Sequence, residues 1–126
     1  MEASLIYQGP ETAISISRVK AVAVDALEEE IKAYHNVTSG EFADLQDLSV
    51  DTGELCGVAA GWSTFHGELV GAEENGKALR VYSERFFFLH EDEMFIFTML
   101  TRFDDRSIAR AKTKTLLEGL SFVATK

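Results

Sequence analysis

The chain has 126 residues, 46% hydrophobic and 26% charged, enough for one domain with a real core and too apolar for disorder. Twelve Lys and Arg against twenty-one Asp and Glu leave a net charge of −9, which repels phosphate backbones and argues against nucleic-acid binding. No apolar run reaches the roughly 18–20 residues of a membrane span, the single Cys56 excludes an internal disulfide, and no signal-like block or lipid-accepting Cys opens the chain, so a cytoplasmic protein is expected.

Ser4 to Gln8 and Thr12 to Val19 flank Gly9-Pro10-Glu11, where Pro fixes φ and removes a donor; the two runs predict a hairpin. In the second run Ile14, Ile16 and Arg18 point one way and Ala13, Ser15, Ser17 and Val19 the other. Asp25-Ala26-Leu27-Glu28 resembles a capping box, and Leu27, Ile31 and Tyr34 recur at helical spacing. These predict an amphipathic helix over about 25–36, closed by Thr38-Ser39-Gly40.

From Phe42 the period changes to two. Leu48 and Val50 alternate with polar neighbours, Asp51-Thr52-Gly53 is expected as a turn, and Leu55 to Phe65 as a strand. One face of that strand carries Leu55, Gly57, Ala59, Gly61 and Ser63, small enough for a helix to approach the sheet closely. Glu73-Glu74-Asn75-Gly76 is a polar tip with a good turn dipeptide.

Ala78 to His90 carries Leu79, Val81, Phe87 and Leu89 on one face and Tyr82, Phe86 and Phe88 on the other. After Glu91-Asp92-Glu93, Met94, Ile96, Thr98 and Leu100 oppose Phe95, Phe97 and Met99. Strands apolar on both faces are covered on both faces. Asp104 is expected to cap a second helix, about 105–118, with Ile108, Ala111 and Thr115 on its inner stripe, Leu116 nearby and Gly119 as its stop. Ser121–Ala124 reads as a short last strand. The predicted fold is α+β: one domain over 1–126, an antiparallel sheet flanked by two helices, in the order ββ-α-ββββ-α-β.

Four stretches then carry a resemblance. Asp51-Thr52-Gly53-Glu54-Leu55-Cys56-Gly57-Val58-Ala59-Ala60, Arg80-Val81-Tyr82-Ser83-Glu84-Arg85-Phe86-Phe87-Phe88, Met94-Phe95-Ile96-Phe97-Thr98 and Leu116-Leu117-Glu118-Gly119-Leu120-Ser121-Phe122 resemble the PsbP-like superfamily, in particular its bacterial DcrB-like branch. With the first helix the likeness covers about residues 12–124 and is one of pattern. It implies an α/β sandwich that binds rather than catalyses; members include a photosystem subunit, a nuclear-transport GTPase cofactor, bacterial lipoproteins and Eag-type chaperones of type VI secretion effectors. The family fixes no catalytic residues.

His66 and Glu68 are two apart on a strand and so share a face, as a general acid–base pair would. His90 beside Glu91-Asp92-Glu93 is the best local metal-ligand cluster, though a solvated hairpin tip explains it more simply, and His35 ends a helix. Cys56, without a basic neighbour, reads as a buried small hydrophobe. Arg80, Glu84 and Arg85 interrupt an apolar strand; cross-strand pairing or a sheet edge is the simpler account, a polar anchor in a ligand groove the other.

Charge is uneven. Residues 1–100 hold six Lys and Arg against eighteen Asp and Glu, whereas 101–126 hold six against three. Arg102, Arg106, Arg110, Lys112 and Lys114 form a charged patch that either pairs with the acidic body or orients a protein partner or second copy. Trp62, Tyr82, Phe86, Phe88, Phe95 and Phe97 are core in the first place, and candidate partner-binding residues where two helices leave the sheet uncovered.

The expected function is that of a non-enzymatic, small acidic binding protein, chaperone- or adaptor-like, which receives a protein or peptide segment on its sheet. Its sharp form, implied by the resemblance, is an Eag-like effector chaperone. The alternatives are a structural homodimer without a small-molecule ligand and, behind it, a metal-dependent or acid–base enzyme using His66, Glu68 and His90. No catalytic residue, metal or cofactor is assigned.

Overall fold

The structure, a computed structural model, describes residues 2–8, 12–38 and 42–119. Along them run β1 (Glu2–Gln8), β2 (Thr12–Lys20), a 3-10 turn (Val24–Ala26) leading into α1 (Leu27–Thr38), β3 (Phe42–Leu55), β4 (Val58–Glu74), β5 (Lys77–His90), β6 (Glu93–Arg102), and a 3-10 turn (Phe103–Asp105) leading into α2 (Arg106–Glu118). The fold is α+β. Six strands form one antiparallel sheet in the order β1-β2-β6-β5-β4-β3. The expected turn at 9–11 and last strand at 121–124 lie outside the described residues.

Alternation along the central strands gives each face its own cluster. On one face Phe87, Met94 and Ile96 pack with Leu27 and Ile31 of α1, and the Tyr34 ring meets the Phe87 ring edge-on at 5.6 Å. On the other, Tyr82, Phe88, Phe97, Met99 and Ile14 pack with Ala109 of α2. The helices therefore lie on opposite faces of the sheet, which explains why β5 and β6 are apolar on both.

The α1 side is close because β4 is small there. A Cβ built on Gly61 would lie 2.4 Å from Ile31 Cδ1, with Leu27 Cδ2 at 3.4 Å, so only glycine leaves α1 its seat. The small-residue expectation holds at Gly61, but not at Leu55. Asp51-Thr52-Gly53 is not a turn: it pairs in register with Trp62-Gly61-Ala60 inside β3. The hairpin closes instead at Cys56-Gly57, whose φ values of 53° and 79° suit a two-residue turn that twists with its strands. That turn cuts the expected Leu55–Phe65 strand and places Leu55 opposite Val58, facing α2. Asn75-Gly76, with φ 55° and 77°, closes the next hairpin as expected.

Neither helix starts as its acids suggested. Asp25 and Asp104 fall inside the 3-10 turns, and no side-chain cap bond is made at the positions that open either turn or α2. The tight turns satisfy the first amides with backbone carbonyls instead. Gly119 ends α2, its N–H donating to the Leu116 and Leu117 carbonyls.

The rotation of α2 also differs from expectation. Ala109 and Thr113 are its buried residues, with Leu117 half-buried below them, whereas Ile108 is 63% and Leu116 43% exposed, and Ala111 and Thr115 are also exposed. Phe88, Tyr82 and Phe97 already supply the bulk of this layer. A helix seated on them fits by presenting small residues, so the apolar-looking stripe turns outward.

Candidate functional site

All six candidate aromatics share the α2 face, since Trp62, Tyr82, Phe86 and Phe88 are even-numbered neighbours on β4 and β5, and Phe95 and Phe97 pair with Phe88 and Phe86. They divide by burial. Tyr82, Phe88 and Phe97 are closed off under α2, while Trp62, Phe86 and Phe95 are half-buried. Phe86 stacks at 6.5 Å on Phe88 and meets Phe97 edge-on at 6.2 Å. It is both the margin of the core and part of an open groove.

That groove, about 800 Å³, lies between α2 and the β3–β5 side of the sheet. Leu55, Cys56, Phe86 and Leu117 give it an apolar lining, and Arg106, Arg110 and Lys114 line it from the helix. Those three positions, four apart, project from one side of α2 because four residues make slightly more than one turn. Of the expected charged patch, Lys112 lies on the opposite flank of the helix, lining a second hollow of about 450 Å³ with Ile14, Ala111, Thr115 and Leu116. Arg102 ends β6 and approaches Asp105 at 4.0 Å.

Glu84 is the buried acid of the groove. Burial pushes its carboxyl above the usual carboxylate range, against the opposing pull of the Arg110 guanidinium and a hydrogen bond from the Tyr82 hydroxyl. Arg110 Nε stands 3.6 Å from Glu84 Oε2, an ion pair rather than a hydrogen bond. Burial, and then the Glu84 charge, push the Tyr82 phenol up to about 12. Thus Glu84 lines the groove, paired with a helix residue rather than at a sheet edge. Arg80 and Arg85 take other roles: Arg80 pairs across strands, and Arg85 is buried on the α1 face, 5.5 Å above the Phe65 ring.

Thr113 lines the same groove at 1% exposure, and its Oγ1 has no hydrogen-bond partner among the described residues. Cys56 is half-buried at a turn rather than inside a strand; its Sγ–H donates to the Leu117 carbonyl at 3.3 Å, and burial raises its pKa, which keeps it a thiol. Sequence reasoning missed Leu55, Thr113 and Leu117 as site residues. The 109/113/117 spacing was the available signal, hidden by the larger apolar residues beside it.

At the far end of the same face, His66 Nε2 lies 2.6 Å from Asp47 Oδ2, and its Nδ1 accepts from Arg80 Nε at 3.0 Å. Arg80 Nη1 also donates to Asp44, whose carboxyl is held below the usual range by the Gln46 and Arg80 hydrogen bonds. The His66 ring packs on Phe103 at 4.7 Å. His66 is opposite Tyr82 in register, so His90 is eight residues farther along β5, about 26 Å at the rise of a strand. The grouping of His66, Glu68 and His90 is therefore not assembled. Among the described residues no three His, Cys, Asp or Glu side chains converge as metal ligands. The side chain of His35 lies outside them.

No protein-family model and no curated protein matches the chain. A solved structure does. PA94 from Pseudomonas aeruginosa, a protein of unknown function suggested to be a regulator, is 14% identical, with a TM-score of 0.72 over 98% of this chain and 83% of that one. The likeness is one of fold. It shows that this arrangement of sheet and helices recurs at low sequence identity, and no helix among the described residues is long and apolar enough to cross a membrane.

Proposed function

We propose that this chain is a non-catalytic binding module, chaperone- or adaptor-like, that holds an apolar protein segment against the α2 face of its sheet. The sharp form is an Eag-like effector chaperone of the PsbP-like, DcrB-like kind, working in the cytoplasm. The observation that carries the reading is Phe86: it is half-buried, lining an open groove, while its ring is fixed by Phe88 and Phe97. A rigid aromatic floor loses little entropy when covered, which is what makes such positions anchors in interfaces.

The test is co-expression with a carrier protein bearing an apolar segment of about 20 residues, long enough to precipitate it. The wild type keeps the carrier in the supernatant, and Phe86→Ser loses most of that effect while remaining folded by circular dichroism. A carrier that precipitates equally with and without the wild-type protein defeats the proposal.

A second reading, a homodimeric structural subunit without a small-molecule ligand, is favoured by the outer side of α2, where Ile108 and Leu116 stand exposed. Light scattering over a concentration series separates the two: a dimer broken by Ile108→Ser supports the subunit, and a monomer at all concentrations removes it.

A further inference from the structure

The charge of the groove runs against the charge of the molecule. The chain carries −9, yet among the described residues the groove sets Arg106, Arg110 and Lys114 against only Glu84 and Glu118. Glu84 is already engaged by Arg110, and Glu118 is exposed at the last turn of the helix. Arg106 is held in place: its Nη1 donates to the Phe103 carbonyl at 2.7 Å and its guanidinium lies 3.9 Å above the Phe103 ring. A guanidinium has five N–H donors in a fork, so these contacts leave donors for a carboxylate.

The spacing is the second observation. Helical rise separates successive members of this row by about 6 Å and its ends by about 12 Å. A single compact anion meets one or two such cations; a linear partner whose acids repeat at the same interval meets all three. Carboxylates at i, i+4 and i+8 of a helix have that repeat, and its neighbouring face can meet the Leu55, Phe86 and Leu117 lining. Thr113 adds a third observation, a buried hydroxyl in the lining that lacks a partner among the described residues, whereas buried polar atoms are ordinarily satisfied.

We infer that the segment taken by this groove is amphipathic, laying an apolar stripe on Leu55, Phe86 and Leu117 and an acidic edge along Arg106, Arg110 and Lys114. The inference rests on the segment-binding reading above and supplies what that reading lacks, a rule for orientation. Apolar contact holds the segment, and the cation row fixes which edge faces the helix.

Three labelled helical peptides of about 16 residues test it by fluorescence anisotropy, each with the same Leu stripe and with Glu, Gln or Lys at three positions four apart. At about 0.05 M salt the Glu peptide binds the wild type roughly tenfold tighter than the Gln peptide, and at about 0.5 M the gap closes. In the double variant R106Q/K114Q the gap is gone, the Glu peptide binding no tighter than the Gln peptide. K114E, a single exposed change, binds the Lys peptide more tightly than the wild type does. Equal binding of the Glu and Gln peptides by the wild type overturns the inference while leaving segment binding intact, as does a gap that survives in R106Q/K114Q. A single-stranded oligonucleotide that binds as well as the Glu peptide overturns it too, because the row would then read negative charge alone. If no peptide binds, and Phe86→Ser changes nothing, the segment-binding reading itself fails.

Discussion

The two faces of this sheet are built from the same strands and end in opposite states. Over α1, the sheet gives up side chains at Gly61 and the helix fills the space with Leu27 and Ile31, both buried. Over α2, the sheet supplies Tyr82, Phe88 and Phe97 and the helix answers with Ala109 and Thr113. Large residues from the helix sink into a depression and close it. Small residues from the helix rest on a convex aromatic layer, so its flanks stay open as the groove and the hollow by Ile14. Which partner contributes the bulk decides which face is sealed.

Mutations can break that contrast in order of size. Ile31→Ala empties a sealed site and is expected to cost about 3 kcal/mol in denaturant unfolding. A loss below about 1 kcal/mol would mean that the α1 face is as loose as its counterpart. Gly61→Ala should cost about 1–3 kcal/mol by overpacking, because its new methyl group meets Ile31 Cδ1. Ile31→Val deletes that Cδ1 atom, so the double variant is expected to be more stable than the sum of the single losses. Strict additivity in the cycle would show that the close approach is relieved elsewhere.

Burial pushes up a phenol on each face, Tyr34 beside α1 and Tyr82 under α2, and the α2 face adds the buried Glu84. Tyr82 has its folded pKa raised to about 12 from an ordinary 10.0, so its contribution is complete below pH 10 and is lost as pH rises through 10 to 12. Glu84 has the same sign at lower pH: its folded pKa is raised, so stability falls as pH rises through that value. Tyr82→Phe should flatten the alkaline limb of a stability–pH profile, and an unchanged limb would place the transition on another group. The smallest effect belongs to the outer side of α2, where Ile108→Ser should stay within about 0.5 kcal/mol in the monomer. A larger loss of thermal stability that grows with protein concentration would instead reveal a dimer.

Much of this was legible residue by residue. Alternation in 79–89 and 94–100 placed every Phe of β5 and β6 on its correct face, and Asn75-Gly76 marked a hairpin that the backbone makes. Leu27, Ile31 and Tyr34 named the inner side of α1, since no other apolar stripe competes there. Three features misled. Asp51-Thr52-Gly53 has turn chemistry, but pairing with β4 holds it extended, and the Trp62 ring lies 3.1 Å from where a Gly53 Cβ would stand. The acids at Asp25 and Asp104 promised caps that the 3-10 turns make unnecessary. In α2 the larger apolar residues suggested the wrong inner stripe.

Alone, then, the sequence determined the periods: where the backbone extends, where it coils, and which residues of one strand travel together. Those follow from local geometry, two residues per repeat in a strand and 3.6 in a helix. The tertiary structure decided how α2 is turned and hence that Arg106, Arg110 and Lys114 line the same groove as Phe86. The rotation of a helix depends on the shape of the surface it lands on, and that surface comes from residues 14, 82, 88 and 97, brought together only by the folded sheet.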